Sequence, residues 1–260
     1  MSPATTLRVI GSLGARAVKQ TFRRPQLMAP LLIFPTLLLA IQTGGAGRAI
    51  DLPGFPVVNG FFDFMLAGAM IQSTLLAGNT GGIALAVDIE TGFTDRLLAA
   101  PIPRFTIVAG RLVGTAVLGA LTAVWFVVIG LLFGAEINEG PLGVLAMIGL
   151  VTLSATAFGS IGAAIALRSG SASVVQGMFP LVFVILFLSS AFFPQELLLE
   201  PARTIAELNP LSYIVEAVRD PVIGAFDATN LLEGLGGLAI VATFGVTLAA
   251  LAMRRRLRIG

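Results

Sequence analysis

Cysteine and histidine are both absent from these 260 residues, and lysine occurs once, as Lys19. The first two absences exclude disulfides, thiol chemistry, zinc sites and His-based acid–base catalysis. The chain also has no Gly-x-x-x-x-Gly-Lys-Ser/Thr phosphate loop. Charge is scarce: 12% of residues are charged and 56% are hydrophobic. Long polar stretches are missing as well. The longest gap between apolar runs, 194–230, is under about 40 residues, too short for a second soluble core.

What remains is apolar sequence, with a mean hydropathy of +0.95. Six stretches stand out, at 27–43, 62–87, 110–133, 141–167, 173–193 and 231–253. Most reach the ~20 residues that cross a bilayer core. Threaded from inside, the inner segments carry thirteen Lys plus Arg and the outer segments three: Arg48, Arg203 and Arg219. That bias predicts cytoplasmic termini for a multi-pass protein of the inner (plasma) membrane. Arg23-Arg24 reads as the inner flank of the first span, not as an export signal, because five more spans follow. The net charge of +2 and the pI of 9.9 reflect Arg at membrane edges. That distribution suits anionic lipid headgroups and not nucleic acid.

The expected class is all-α integral membrane, one domain over 1–260. Residues 3–24 precede the first span. On a helical wheel Arg8, Ser12, Arg16, Lys19 and Arg23 fall in an arc of about 80° opposite Leu7, Ile10, Leu13, Ala17 and Phe22. This predicts an amphipathic helix at the cytoplasmic interface, broken before Pro25. Pro30 and Pro35 predict a kink in the first span. Gly78/Gly82, Gly110/Gly114 and Gly130/Gly134 are small-residue pairs that let helices approach closely. Span two holds Gln72 and Asn79 on one face. Amides in lipid are costly, so this face should meet protein or a substrate path.

The inner segment 88–104 is the most informative. It is the one inner segment with acids, Asp88, Glu90 and Asp95, and it adds Arg96, Arg104, Gly92 and the apolar pair Leu97-Leu98, with Pro101 and Pro103 ending any helix. Mixed charge around an apolar spot suits a protein-docking surface. Asp88, Gly92, Asp95-Arg96-Leu97-Leu98, Pro101, Pro103-Arg104 and Gly110-Arg111 resemble the motif after span two of the type-2 ATP-binding-cassette transporter permeases. The daunorubicin-resistance branch is the nearest. Asn209-Pro210, Tyr213, Ala217 and Arg219 are similar to that family's motif before the last span.

The resemblance implies a permease that pairs with a second copy or a paralogue and with cytoplasmic ATPase subunits. ATP and Mg would bind at the ATPase, and no cofactor at this chain. The 88–104 segment would be the coupling helix, and 3–24 the connecting helix.

Residues 194–224 are too apolar for a free loop and too Pro-broken for a span. They predict two short helices in a re-entrant outer hairpin, with their Leu, Ile and Tyr face on spans five and six. Asn209 caps the second of these helices in this reading. The resemblance makes the hairpin, with Asn209, Pro210, Tyr213 and Arg219, an outer gate. Span 231–253 and a basic tail, 254–260, complete the chain.

The function expected is export of an amphipathic drug-like or lipid-like substrate. An ion-coupled secondary transporter is the alternative, with Asp63 as its single candidate carboxylate. An intramembrane enzyme would need a Ser or carboxylate dyad that no span centre carries.

Overall fold

A computed structural model describes residues 2–23, 25–138, 140–224 and 227–259. Every regular element among them is helical. Helix α1 spans Pro3–Phe22 and starts favourably: Pro3 occupies the first turn, and the Ser2 hydroxyl accepts from the Thr5 amide at 3.3 Å. Helix α2, Pro25–Ala46, begins after the break expected before Pro25. Arg24, counted among the inner charges, lies outside the described residues, as does the last residue of the basic tail. Pro30 and Pro35 both sit inside α2.

Helix α3, Phe61–Glu90, is the axis of the bundle, and nearly its whole length is buried. A helix apolar all round belongs inside such a bundle. It packs on α2, α5 (Phe105–Leu132), α6 (Pro141–Ser169) and α10 (Pro210–Ile223). Two of the expected glycine pairs make close contacts. A Cβ at Gly78 would lie 2.9 Å from the Gly159 nitrogen on α6, and one at Gly114 would lie 2.7 Å from the Ala17 Cβ. Gly110 and Gly114 thus form the seat of α1 on α5. The third pair does not hold as a packing pair. Gly134 has φ +87° and follows the end of α5, with no described residue near its absent side chain.

Among the described residues, five helices are long and apolar enough to cross a membrane, the last being α11, Ala228–Ile259. The stretch expected as span 173–193 differs. It forms two short helices, α7 (Ala172–Gly177) and α8 (Phe179–Phe187). Pro180 sits in the first turn of α8, where it lacks the N–H that a continuous helix would need.

Between α8 and α11, Pro201 and Pro210 divide the chain into α9 (Ala202–Leu208) and α10. The two short helices expected over 194–224 are present; α10 packs on α11, the expected sixth span, and also on α3 and α6, which the expectation left out. Leu211, Ile214, Val215, Val218 and Val222 bury one face of α10 against α3, α6 and α11. Ile205 and Leu208 of α9 remain exposed. The larger apolar core gathers Phe64, Met65, Phe126, Met147 and Ile214 at the α10 end. A second core, with Leu85, Ile89, Ile107 and Met253, lies at the end where α3 finishes.

Candidate functional site

The last turn of α3 presents Asp88, which is buried. Helix C-termini disfavour anions, so a carboxylate here needs cations. Two helices supply them. Arg16 of α1 meets Asp88 with a two-point grip, its Nη1 donating to Oδ2 at 3.0 Å and its Nη2 to Oδ1 at 3.2 Å. Arg111 of α5, also buried, donates to the same carboxylate, and both its terminal nitrogens reach Gln20 Oε1 at 3.4 Å. The Arg16 guanidinium lies 3.6 Å over the Phe93 ring. A single anion thus clamps α1, α3 and α5. A void of about 20 Å³ adjoins the clamp beside Thr94, whose buried hydroxyl has no partner among the described residues; one water fits there.

From Asp88 the chain turns sharply. Gly92 takes φ +69°, a left-handed conformation that side chains resist, and this lets α4 (Phe93–Ala99) fold back. Other contacts tie this segment down. Glu90 Oε1 accepts from the Ala172 amide at the start of α7, at 2.8 Å. Arg256 of α11 pairs with Asp95 at 3.4 Å. Leu97 and Leu98 are half-buried against the second apolar core. The segment therefore touches α1, α5, α7 and α11, and its exposed residues include Asp95, Arg96, Pro101 and Arg104. The residues 88–104 singled out from sequence divide into two groups. Asp88 and the Leu pair face the bundle, while Arg96, Pro101 and Arg104 face outward, and the exposed Glu90 and Asp95 reach sideways to α7 and α11.

At the opposite end a second arginine is sealed in. Arg219, counted from sequence as an outer loop charge, is 1% exposed. Its Nε donates to the Phe64 carbonyl at 3.2 Å, and its Nη2 donates to the Ser190 and Ala191 carbonyls at 2.8 and 3.3 Å. Its Nη1 meets Glu216 at 2.5 Å, and the guanidinium stacks 3.8 Å over Phe64. One side chain thus joins α10 to α3 and to the turn after α8. Asn209 accepts from the Leu211 amide at 3.0 Å, the cap expected of it. It also donates to the Ile185 and Leu188 carbonyls at the end of α8. Pro210 opens α10, and the Tyr213 hydroxyl donates to the Glu207 carbonyl at 2.7 Å.

Gln72 and Asn79 are not brought to one site. Gln72 is buried, and neither of its amide atoms has a partner among the described residues. Asn79 is half-exposed and lines a cavity of about 100 Å³ with Leu75, Phe158 and Met178.

Arg16 and the whole three-residue clamp escaped the sequence reading, which put Arg16 on the basic arc of an interfacial helix. A signal existed: Arg111 opens an otherwise apolar run, and a lone cation there calls for an anion nearby.

Residues 8–222 match the ABC-2 type transporter family. The chain is 28% identical to a putative transport permease, ycf38, of Pyropia yezoensis over 216 residues, which cover 82% of this chain and 73% of that protein. It is 26% identical to the ycf38 protein of Porphyra purpurea, over 82% of this chain and 73% of the relative. It is also 26% identical to the daunorubicin resistance ABC transporter permease protein DrrB1 of Streptomyces coeruleorubidus, over 63% of this chain and 58% of that one. The chain belongs to the ABC-2 type transporter family and is a transport permease, a membrane protein with several apolar helices.

Proposed function

We propose that this chain is the membrane subunit of an ATP-driven exporter with six crossings and cytoplasmic termini. The positive-inside charge bias supports that threading. So does a fifth crossing built from α7 and α8, an apolar pair too short to span alone but lengthened by the residues up to Phe193. Helix α1 would then lie at the cytoplasmic interface, with the exposed Arg8, Lys19 and Arg23 toward headgroups, Arg16 turned to Asp88, and Leu13 and Ala17 on α5.

A separate ATP-binding-cassette subunit docks on the exposed side of 88–104, where Arg96, Pro101 and Arg104 stand free of the bundle. Closure of the ATPase pair pushes α4. The push reaches α3, α5 and α1 through Asp88, and α11 through the Asp95–Arg256 pair. Helix tilting then opens a path outward, with α9 and α10 as its outer gate, pinned by Arg219. Such a switch needs two bundle arrangements with different contacts. The functional unit contains a second copy or a paralogue of this chain. The cargo is amphipathic, drug-like or lipid-like. The apolar bundle supports this class, as does the relative whose name records daunorubicin resistance.

The observation that carries the reading is the buried carboxylate of Asp88 held by arginines from two other helices, directly behind an exposed mixed-charge helix. The test is Arg96→Glu in the complex reconstituted with its ATPase. Arg96 is exposed, so the permease folds normally, while ATP-driven transport falls at least tenfold. Transport at the wild-type rate would remove α4 from the coupling path.

A further inference from the structure

The basic residues at the α4 end of the bundle differ in one respect. Arg16, Arg111 and Arg256 all face acids. Arg168, in the last turn of α6, and Arg255, near the end of α11, are exposed and have no acidic partner among the described residues. They share the mouth of a groove of about 370 Å³ between those two helices. That volume lies in the range of small-ligand sites.

Below the two arginines the groove is apolar. Leu248, Leu251 and Ala252 sit three to seven residues before Arg255 on α11, and Ala164 and Ile165 sit one turn before Arg168 on α6. One helical turn rises 5.4 Å, so the apolar floor begins about 5 Å and ends about 10 Å from the charges. The order is cation, then hydrocarbon, along the helix axes. An acidic protein segment would match the mouth but not the floor. A free phosphate would leave the floor empty. A ligand with an anionic head and an aliphatic chain matches both.

We propose that this groove binds one anionic phospholipid of the cytoplasmic leaflet, its phosphate between Arg168 and Arg255 and an acyl chain along Leu248 and Leu251. The site lies between α6, which packs on α3, and α11, which carries the partner of Asp95. A lipid there bridges the two helices. The proposal rests on the membrane reading of these helices and not on the ATPase.

The test uses the purified full chain in a mild detergent with added dioleoylphosphatidylglycerol, dioleoylphosphatidylcholine or inorganic phosphate, followed by thermal unfolding. The glycerol lipid raises Tm saturably; the choline lipid and phosphate do not. Arg168→Gln and Arg255→Gln each leave Tm in detergent unchanged and raise the half-saturating lipid concentration roughly fivefold, the effect expected of one arginine at a membrane surface. The double variant loses most of the shift, while Arg254→Gln, one residue away and outside the groove, keeps it. Three results overturn the proposal: equal shifts with the choline lipid, a shift reproduced by phosphate, or an equal loss in Arg254→Gln. Loss of ATPase co-purification in the double variant, with the lipid shift intact, also overturns it and assigns the arginines to the protein partner. ATP hydrolysis is read separately, so failure here is distinct from failure of the exporter reading.

Discussion

Asn in place of Asp88 should damage this protein far more than Gln in place of Arg16, although both residues belong to one ion cluster. Arg111 is buried, with its side chain 6% exposed, and Asp88 is its acidic partner. Removing one member of such a pair leaves an uncompensated buried charge, which costs about 3–5 kcal/mol. At roughly 2–4 °C per kcal/mol for a chain of this size, Tm should fall by about 6–20 °C. Arg16 is different, because its side chain is 39% exposed and can turn to water. Its loss removes a partly screened pair and a stacking contact on Phe93, together about 1–2 kcal/mol. A double change, Asp88→Leu with Arg111→Met, withdraws both buried charges. It should recover most of the stability lost in Asp88→Asn, because apolar pairs of similar volume replace buried ion pairs at little cost. The assay is thermal unfolding of the parent and the three variants in one detergent, with ATPase stimulation measured on the reconstituted complex. The double variant should fold yet fail to stimulate, since the clamp on α1 is gone. Equal Tm losses for Asp88→Asn and Arg16→Gln would refute this reasoning, as would a double variant no more stable than the single.

Further outcomes follow from other contacts. Arg219→Met should strand the Ser190 and Ala191 carbonyls that it now serves, lowering stability by roughly 3 kcal/mol or more, with Arg219→Lys intermediate; unfolding in detergent measures both, and a wild-type Tm for Arg219→Met would contradict the buried fork. Gly114→Val should lift α1 from α5, because even a Cβ would meet Ala17 at 2.7 Å; hydrogen exchange over 3–22 should rise at least tenfold, and unchanged protection would show that α1 is held elsewhere. Burial is the first cause raising the Asp220 carboxyl above its ordinary value of 3.8, with Asp227 and Glu216 adding to it and the bonds from Asn230 and the Asp227 amide opposing it. Its native pKa therefore exceeds its unfolded one, so the cost is absent below pH 4 and grows as pH rises through the native value. Asp220→Asn should gain Tm relative to the parent at pH 7 compared with pH 4, and a constant difference would contradict that sign.

Much of the bundle was readable because apolar length alone marks a membrane helix. Pro25, Pro201 and Pro210 fixed breaks that recur in the structure, and Asn209 proved to be the cap that its position beside Pro210 suggested. The α7–α8 break was missed because hydropathy averages over Pro180, whereas a missing N–H acts at one residue. Arg219 was misplaced because charge counting assigns an arginine to water by its neighbours in sequence. Its partners, Phe64 and Ser190, are remote in the chain and meet it only after folding. The clamp was hidden for the same reason: 72 residues separate Arg16 from Asp88, and α1 reads as a free amphipathic helix until Gly110 and Gly114 offer it a seat.

The coupling role of 88–104 is reached most directly by a photo-crosslinker attached at Arg96→Cys, which is free of background from this cysteine-less chain. In the complex with its ATP-binding-cassette subunit, position 96 should give an adduct with that subunit. The yield should change between the nucleotide-free and ATP-bound states, while a probe at Arg48→Cys should give none. An ATPase that co-purifies and crosslinks to position 48 but not to 96 would contradict both the docking surface and the membrane orientation.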